Sequence, residues 1–213
     1  MRTAIVAGAT GLIGQELVQK LILSDHYRLI YILTRKKSGI VHEKIRELVI
    51  DFDKISQLKF DEPIDDVYCT LGTTMKQAGS RRNFKKVDYE YVVALANSGK
   101  MAGASKFLVI SAMGANPKSS IFYNRVKGMT EEALKNIGYK ELVILQPSLL
   151  LGERSETRTG EKLSAFIMKA LNFIIPDNYK AITAEKVAES MLKMALKTTG
   201  SVTIVKSGEM LRE

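Results

Sequence analysis

The stretch TAIVAGATGLIG, residues 3–14, decides the fold. Its first five residues form an apolar run without alternation, which is typical of a strand buried on both faces of a parallel sheet. Glycines follow at positions 8, 11 and 14, and apolar residues at helical spacing continue to residue 23. A buried strand, a glycine-rich turn and an amphipathic helix in this order predict a dinucleotide-binding unit. The alternative is a glycine-rich turn without chemical meaning.

Each glycine of this turn has its own expected role. Gly8 lets the chain turn tightly off the strand, Gly11 lets the backbone approach a pyrophosphate, and Gly14 lets the helix lie close to the sheet. The backbone N–H groups and the positive end of the helix then meet the phosphates. The cofactor contacts expected from this loop are Gly8, Thr10, Gly11, Leu12, Ile13 and Gly14.

Strands and helices alternate along the rest of the chain. Further strands are predicted at residues 28–33, 45–50, 67–70, 107–110, 142–145 and 201–205, and helices at 84–101, 121–136, 163–175 and 184–196. The stripe expected to be apolar on the first of these helices is Phe84, Val87, Tyr91, Ala94, Leu95, Ser98 and Met101. This order predicts one α/β domain over residues 1–213, a doubly wound parallel sheet of the Rossmann type. Residues 151–200 are expected to form a small C-terminal cap on the same domain, on the substrate side.

The composition excludes several classes of protein. One cysteine cannot form an internal disulfide, and two histidines with one cysteine are too few for a zinc finger or a three-histidine site. No metal is therefore expected. No apolar run approaches the ~18 residues of a membrane span, and the glycines of the first segment argue against a signal peptide. We expect a mature, cytoplasmic protein without a membrane span.

Basic residues outnumber acidic ones by 32 to 23, which gives a net charge of +9. A nucleic-acid or membrane-surface protein is one interpretation of this excess. However, the basic clusters at residues 35–37, 81–82 and 85–86 are small and separate. Nucleic-acid binding usually shows a concentrated basic stripe or a known module. No nucleic-acid partner is therefore expected.

The end of the second strand selects between the two nicotinamide dinucleotides. An acidic residue about 20 positions after the glycines would hold a ribose 2′-hydroxyl and favour NAD. Residues 34–37 are Thr-Arg-Lys-Lys, without a carboxylate, so this end favours the 2′-phosphate of NADP(H). Arg35, with Lys36 beside it, is the expected ligand because a guanidinium can grip a phosphate with two donors. A solvated basic turn is the alternative.

A second motif, YNRVK at residues 123–127, places a tyrosine and a lysine on one helix face. A tyrosine hydroxyl can exchange a proton with a carbonyl or an alcohol. A neighbouring ammonium lowers the pKa of such a phenol and can also hold the nicotinamide ribose. Ser111 ends the fifth strand at the sheet edge where ligands bind. Ser111, Tyr123 and Lys127 are therefore the expected catalytic residues, and a surface helix is the alternative for the YxxxK pattern.

Together these motifs resemble those of the short-chain dehydrogenase/reductases, in their atypical, extended-like branch. The chain is most similar to the Tat-interacting-protein-like oxidoreductases. This likeness is carried by CTLGTTMKQAG (69–79), FKKVDYEYV (84–92), SAMGANPKSS (111–120), YNRVKG (123–128) and QPSLLLGERSETRTGEKL (146–163). These stretches span most of the chain.

The resemblance implies NADP(H) as the cofactor and further contacts with it. The residues that it assigns are Leu71, Gly72 and Thr73 on the adenosine side, Asp51 and Phe52 at the adenine, and Pro147, Ser148 and Leu149 near the nicotinamide, with Tyr123 and Lys127. Ordinary turns are the alternative for residues 71–73 and for Asp51. The loop 152–161 would border the substrate cleft, where Arg154 and Arg158 are candidate anchors for an anionic substrate. A solvated loop is the equal alternative.

The favoured function is an NADP(H)-dependent oxidoreductase that reduces an unidentified small-molecule carbonyl substrate, with Tyr123 as the acid and base. Ser111 would orient the carbonyl, and Lys127 would tune Tyr123. Two alternatives stay open: a non-catalytic NADP(H) sensor that binds a protein partner, and a nucleotide-sugar epimerase-like enzyme, for which the chain is short. The sequence does not fix the oligomeric state. A homodimer through helices 84–102 and 121–137 is an arrangement common in the resembled superfamily.

Overall fold

A computed structural model describes residues 1–151 and 176–212. Within this part of the chain, the main strands are β1 (Arg2–Ala7), β2 (Tyr27–Thr34), β3 (Ile45–Val49), β4 (Asp66–Cys69), β5 (Lys106–Ile110), β6 (Glu141–Gln146) and, outermost, β9 (Val202–Lys206). They form one sheet in the order β3-β2-β1-β4-β5-β6-β9, and every neighbouring pair is parallel. Two short strands, β7 (Leu150–Leu151) and β8 (Ile182–Thr183), pair separately. The predicted doubly wound parallel sheet is confirmed.

Helices cover both faces of the sheet. The described helices are α1 (Leu12–Leu23), α2 (Met75–Ala78), α3 (Arg81–Lys85), α4 (Tyr91–Met101), α5 (Phe122–Ile137), α6 (Ala184–Leu196) and α7 (Ser207–Arg212), with 3₁₀ turns at Phe52–Gln57 and Asp177–Tyr179. Buried residues of α1 and α6 share one apolar core with one face of the sheet. Those of α4 and α5 share a second core with the other face. The sheet is therefore buried on both sides, which explains the unbroken apolar runs of its central strands.

The helix predicted over residues 84–101 is interrupted by a π turn at Lys86–Glu90, between α3 and α4. A π turn inserts one extra residue and rotates the following side chains about the helix axis. The predicted stripe is therefore wrong at its end, because Met101 is 85% exposed. Val92 and Ala96 are buried instead, and so is Asp88 at the turn itself.

The segment predicted to cap the sheet is described only in part. Residues 152–175, which include the predicted helix 163–175, lie outside the described residues. Of the remainder, α6 begins at the expected N-cap, Thr183, whose side chain accepts a hydrogen bond from the Lys186 N–H. Because α6 packs beside α1 on the face of the sheet, it is a layer of the domain. The substrate-side cap stays a prediction.

The direction of winding reverses between β1 and β4. From β1 the chain continues outward through β2 and β3, and from β4 it continues the opposite way through β5 and β6. The carboxyl ends of the parallel strands separate at this point and leave a crevice, where ligands of such sheets bind. No helix of the described ranges is long and apolar enough to cross a bilayer.

Candidate active site

A cleft of about 490 Å³ opens at this reversal point. Its lining residues are Gly8, Thr10, Gly11, Leu33, Thr34, Arg35, Phe52, Thr70, Leu71, Gly72, Thr73, Gln77, Val87 and Tyr91. Eight of these were expected from the sequence as cofactor contacts, and they come from four separate strand ends. The structure thus brings the phosphate loop, the basic turn and the 71–73 loop around one space.

The glycine turn is built without room for side chains. Gly8 has a φ of +93°, and a Cβ there would lie 2.6 Å from the Thr70 carbonyl carbon. A Cβ on Gly14 would lie 2.0 Å from the Gly8 carbonyl oxygen. Helix α1 begins after Gly11, and no side chain caps its N-terminus. The N–H groups of its first turn therefore have no acceptor in the helix and are available to a ligand. This cradle fits a pyrophosphate, which would be held by backbone donors and the positive helix end.

The basic turn after β2 is organised by a carboxylate from the neighbouring strand. Arg35 lines the cleft, whereas Lys36 is exposed and lies outside the lining. Glu47 of β3 accepts hydrogen bonds from the Thr34 hydroxyl, at 2.9 Å, and from the Ser38 N–H, at 2.8 Å. The Ser38 N–H is the main reason why the pKa of Glu47 is lowered. Residues 34–37 contain no carboxylate, but the fold places this one against the turn, and sequence reasoning missed it.

Aromatic rings form the far side of the cleft. Phe52 lies in the lining as expected, and its ring packs against that of Tyr91, with centroids 5.6 Å apart. Asp51 instead caps the 3₁₀ turn, since its side chain accepts a hydrogen bond from the Asp53 N–H at 3.0 Å. Tyr91 was predicted only as part of the apolar helix stripe. Its hydroxyl donates a hydrogen bond to the Asp53 carboxylate at 2.9 Å.

Lys127 of α5 is a buried cation with a buried partner. Its ammonium lies 2.8 Å from the Asp88 carboxylate, and the two side chains are 7% and 1% exposed. It also donates to the Ile110 carbonyl at the end of β5, at 3.4 Å. Burial alone would lower the pKa of Lys127, but Asp88, followed by Tyr123, outweighs it, so that the pKa is raised. Lys127 therefore keeps its positive charge beside Tyr123.

Tyr123 lies one helical turn before Lys127, as the YxxxK pattern predicts. It is half-buried, and its ring packs on the fully buried Phe84, with centroids 5.5 Å apart. The neighbouring Phe122 also contacts Phe84 and lies under the Arg81 guanidinium. Tyr123 is therefore held by aromatic contacts from α3, while its phenol is on the helix face that carries Lys127.

Asp88 joins the cofactor loop to the helix that carries Tyr123. One of its carboxylate oxygens faces Lys127, and the other accepts a hydrogen bond from the Thr73 N–H at 2.9 Å. Asp88 is buried in the π turn, and its backbone carbonyl accepts a hydrogen bond from the Thr130 hydroxyl at 2.8 Å. Sequence reasoning missed Asp88 because an unbroken α-helix buries Val87 in its place.

Ser111 occupies the expected position after β5, but its hydroxyl points into the protein. It donates to the carboxylate of Glu131 on α5, which also accepts from the Gln146 side chain at 2.9 Å. Both Ser111 and Glu131 are buried. The sequence held a signal for Glu131, because it follows Lys127 by four residues and therefore shares the helix face of Tyr123 and Lys127.

The residues predicted near the nicotinamide lie beside the end of β5 but outside the lining of the cleft. The Pro147 carbonyl accepts a hydrogen bond from the Met113 N–H at 3.0 Å. Ser148 donates its N–H to the Ser207 hydroxyl at 2.7 Å and its own hydroxyl to the Lys180 carbonyl. Leu149 is exposed. Ser148 is thus tied to the C-terminal segment, and its contact with a cofactor stays a prediction.

Other candidates are either undescribed or absent from the cleft. Arg154 and Arg158 lie outside the described residues. Leu12, Ile13 and Gly14 belong to the first turn of α1, below the lining, where their backbone is available to a phosphate. In residues 1–151 and 176–212, no three His, Cys, Asp or Glu side chains are grouped as metal ligands would be.

Comparisons with known proteins identify the family. A protein-family model described as NAD(P)H-binding matches residues 8–197. The protein FMP52-1, mitochondrial, of Scheffersomyces stipitis is 33% identical over 175 residues, which cover 80% of this chain and 77% of the relative. The protein HTATIP2 of Rattus norvegicus is 29% identical over 198 residues, which cover 90% of this chain and 80% of the relative.

Solved structures share the fold at low identity. A UDP-glucose 4-epimerase from Thermotoga maritima superimposes with a TM-score of 0.70 at 16% identity, over 97% of this chain and 77% of the other. MoeE5, solved with UDP-glucuronic acid and NAD, gives a TM-score of 0.73 at 14% identity, over 97% of this chain and 76% of the other. At this level of identity the likeness supports the architecture alone.

The comparisons overturn the expected cytoplasmic location. Relatives from Scheffersomyces stipitis, Emericella nidulans and Candida albicans all carry the word mitochondrial in their names. The expectation rested on the lack of a disulfide framework, a membrane span and a signal peptide. Such absences do not select one compartment over another.

The glycine cradle, the parallel sheet and the match over most of the chain lead to one assignment. The chain belongs to the NAD(P)H-binding family, as an atypical short-chain dehydrogenase/reductase with a Rossmann fold.

Proposed function

We propose that the protein is an NADP(H)-dependent oxidoreductase that reduces a small-molecule carbonyl compound. The observation that carries this proposal is the buried pair of Lys127 and Asp88, one helical turn from Tyr123. None of these three side chains lines the cleft itself, but the pair lies against Gly72 and Thr73, which do. A surface helix with a chance YxxxK pattern has no reason to bury a charged lysine against a carboxylate, because such burial is costly unless the pair is needed.

Tyr123, Lys127 and Asp88 each have a separate role in the proposed reduction. When bound, the cofactor supplies a hydride to the carbonyl carbon. Tyr123 donates its phenolic proton to the carbonyl oxygen, so that an alcohol leaves, and a proton from solvent restores the phenol. Lys127, kept charged by Asp88, stabilises the phenolate that forms. The Thr73–Asp88 hydrogen bond couples this pair to the loop that lines the cofactor cleft.

Exchanging Tyr123 for phenylalanine tests this function. Removing only the hydroxyl should abolish NADPH oxidation across a panel of aldehydes and ketones and leave the NADPH dissociation constant within about twofold. Tyr89→Phe is the matched control, because Tyr89 is also half-buried and its ring contacts Lys85 instead. Full turnover in Tyr123→Phe would refute the role of the phenol. Tight NADPH binding by a wild type that turns over no carbonyl would favour a cofactor-binding regulator.

We further propose that NADP(H) is preferred over NAD(H). Arg35 supports this preference, because it lines the cleft at the end of β2 on a turn that Glu47 holds in place. Arg35→Ala should weaken NADPH binding about tenfold or more, since a charged hydrogen bond contributes ~1.5–3 kcal/mol, and should leave NADH binding nearly unchanged. Fluorescence titration with both cofactors measures this. Tighter binding of NADH than NADPH by the wild type would contradict the preference.

A further inference from the structure

The segments that follow β4 and β5 carry basic residues and no acidic ones. Neither residues 67–87 nor residues 111–130 contain an aspartate or a glutamate. Their basic residues are Lys76, Arg81, Arg82, Lys85, Lys86, Lys118, Arg125 and Lys127. In a parallel sheet, the segments that leave the carboxyl ends of the strands form the edge where ligands bind. Much of the excess positive charge of the chain therefore lies in the two segments that form this edge around the start of α5.

Some of these cations are paired within the protein. Lys86 and Lys127 each form an ion pair with an aspartate. In residues 1–151 and 176–212, by contrast, neither Arg81 nor Arg125 forms an ion pair with a carboxylate. Arg81 is exposed and Arg125 is half-buried, so both guanidinium groups can be reached by a ligand.

The two arginines meet at one aromatic ring, that of Phe122. The central carbon of the Arg81 guanidinium lies 5.3 Å from the centroid of this ring, and that of Arg125 lies 5.8 Å from it. A cation–π contact orients a guanidinium but does not neutralise its charge. Two like charges at one ring repel each other, and an anion that contacts both removes this repulsion. The arrangement is therefore suited to a negatively charged group.

Arg125 is held in position before any ligand arrives. Its Nη1 donates to the Ser119 carbonyl at 2.7 Å and to the Ser120 carbonyl at 3.3 Å, both in the loop between β5 and α5. Its Nε and Nη2 donate to no protein group of the described ranges and are free to bind an acceptor. A guanidinium that is already fixed loses less conformational entropy when it binds an anion.

Phe122 lies next to the proposed proton donor. Phe122 and Tyr123 begin α5, and both rings pack on Phe84, with centroids 5.8 Å and 5.5 Å from it. This first turn of α5 follows the carboxyl end of β5 and is therefore at the ligand edge. Neither Arg81 nor Arg125 lines the cofactor cleft. An anion bound by the two arginines is therefore not part of the cofactor in that cleft.

We propose that Arg81 and Arg125, beside Phe122, bind an anionic group of the substrate. The carbonyl compound that the protein reduces then carries a phosphate or a carboxylate, both of which a guanidinium binds through paired N–H donors. The proposal rests on the proposed function, because it places this anion on the molecule whose carbonyl Tyr123 protonates. It adds the charge of the substrate to that function.

Direct binding of an anion tests the site without any turnover. The protein is saturated with NADPH, so that the phosphate loop is occupied, and is titrated at low salt with phenyl phosphate, benzoate and the neutral benzamide. Nuclear magnetic resonance of the arginine Nε–Hε groups reports the binding. We expect saturable binding of an anion but not of benzamide. Arg81→Gln and Arg125→Gln should each weaken it about tenfold or more, the effect of one charged hydrogen bond.

Arg82→Gln is the matched control. Arg82 is exposed beside Arg81 on α3 but makes no described contact with Phe122, so its variant should bind the anion as the wild type does. The anion with the lower dissociation constant identifies the preferred group, phosphate or carboxylate. Failure of both anions to bind, or equal binding by the wild type, Arg81→Gln and Arg125→Gln, would overturn the site.

A kinetic comparison tests whether the anion belongs to the substrate. The probes are 4-formylbenzoate and 6-oxohexanoate, each with its methyl ester, and glyceraldehyde 3-phosphate with glyceraldehyde. For each pair, the ratio of kcat/KM between the charged and the neutral aldehyde is measured with NADPH. In at least one pair, the wild-type ratio should exceed the Arg125→Gln ratio about tenfold, and Arg82→Gln should keep the wild-type ratio.

The outcomes distinguish this inference from the function beneath it. Equal ratios in the wild type and Arg125→Gln for every pair overturn the substrate role of the arginines. If that happens while Tyr123→Phe loses turnover of the same aldehydes, only this inference fails. If the wild type reduces no carbonyl, or Tyr123→Phe keeps full turnover, the proposed function fails and the assignment of a substrate to this site fails with it.

Discussion

Replacing Asp88 by asparagine removes the charge that faces Lys127 without changing the size of the side chain. The variant leaves a buried ammonium 2.8 Å from a neutral amide, in a place where Asp88 and Lys127 are 1% and 7% exposed. An asparagine oxygen can still accept the hydrogen bond from the Thr73 N–H. The perturbation is therefore confined to the ion pair and to the support that it gives Lys127.

The expected cost follows from the burial of the pair. Removing one partner of a buried ion pair typically costs ~3–5 kcal/mol, because the other charge is left uncompensated. We expect the lower end, about 3 kcal/mol, since asparagine retains the Thr73 contact. For a domain of this size, that corresponds to a fall of roughly 6–12 °C in melting temperature. Urea unfolding at pH 7, followed by circular dichroism, measures the free energy directly.

The effect should also depend on pH, with a definite sign. The raised pKa of Lys127 means that its pairing stabilises the wild type fully below the ordinary lysine value of 10.5 and less as the pH rises through the folded pKa. In Asp88→Asn the largest influence that raises the pKa of Lys127 is gone and burial dominates, so we expect this pKa to fall below the ordinary value. The Lys127 ammonium, which destabilises the folded variant, therefore loses its proton as the pH rises towards 10. The difference in stability between the two proteins should therefore narrow between pH 7 and pH 10.

The matched control is Asp53→Asn. Asp53 forms an ion pair with Lys86, on the π turn that contains Asp88, but this pair is solvent-exposed. Its loss should leave the unfolding free energy within error of the wild type, because exposed ion pairs contribute little. If Asp88→Asn were as stable as Asp53→Asn, or if its deficit were unchanged at pH 10, the assignment of a buried, charge-stabilising pair would be refuted.

Two further predictions concern the cleft and the core behind it. Gly14→Ala should weaken NADPH binding roughly ten- to hundredfold, because relieving a Cβ placed 2.0 Å from the Gly8 carbonyl oxygen shifts the phosphate loop. Gly200→Ala is the control, because its Cβ would meet open space, and it should bind NADPH as the wild type does. If Gly14→Ala bound NADPH as tightly as Gly200→Ala, the packing argument would be contradicted. Burial raises the pKa of the Cys69 thiol to about 12, so Cys69 should resist iodoacetamide at pH 8 until urea unfolds the protein. Rapid alkylation of the native protein would contradict this prediction, because it would show that Cys69, at the end of β4, is accessible to the reagent.

Local spacing in the sequence was enough to predict the sheet, the phosphate loop and α1. Three signals depend only on residues that are close in sequence: the apolar run before Gly8, the three glycines and the apolar periodicity of residues 12–23. The clash that a Cβ on Gly14 would make is with Gly8, six residues away. Tyr123 and Lys127 share a helix face for the same local reason.

Which side chains of the long helix 84–101 are buried could not be predicted in this way. Seen as a regular α-helix, residues 84–101 bury Met101 and leave Asp88 off the apolar stripe. The π turn at Lys86–Glu90 reverses both, and it is accompanied by contacts of Asp88 with Thr73, Lys127 and Thr130, from two other parts of the chain. Such a turn depends on partners distant in sequence, which no periodicity of the helix itself contains.

The sequence by itself determined the family of fold, the phosphate loop and the pair of Tyr123 and Lys127, because these follow from short-range geometry. Only the tertiary structure decided which carboxylates serve them: Asp88 against Lys127, Glu131 against Ser111, and Glu47 against the basic turn. Each of these carboxylates acts on a group from another strand or helix. A carboxylate has a role in such a site only where the packing of the sheet and helices brings it within reach of its partner.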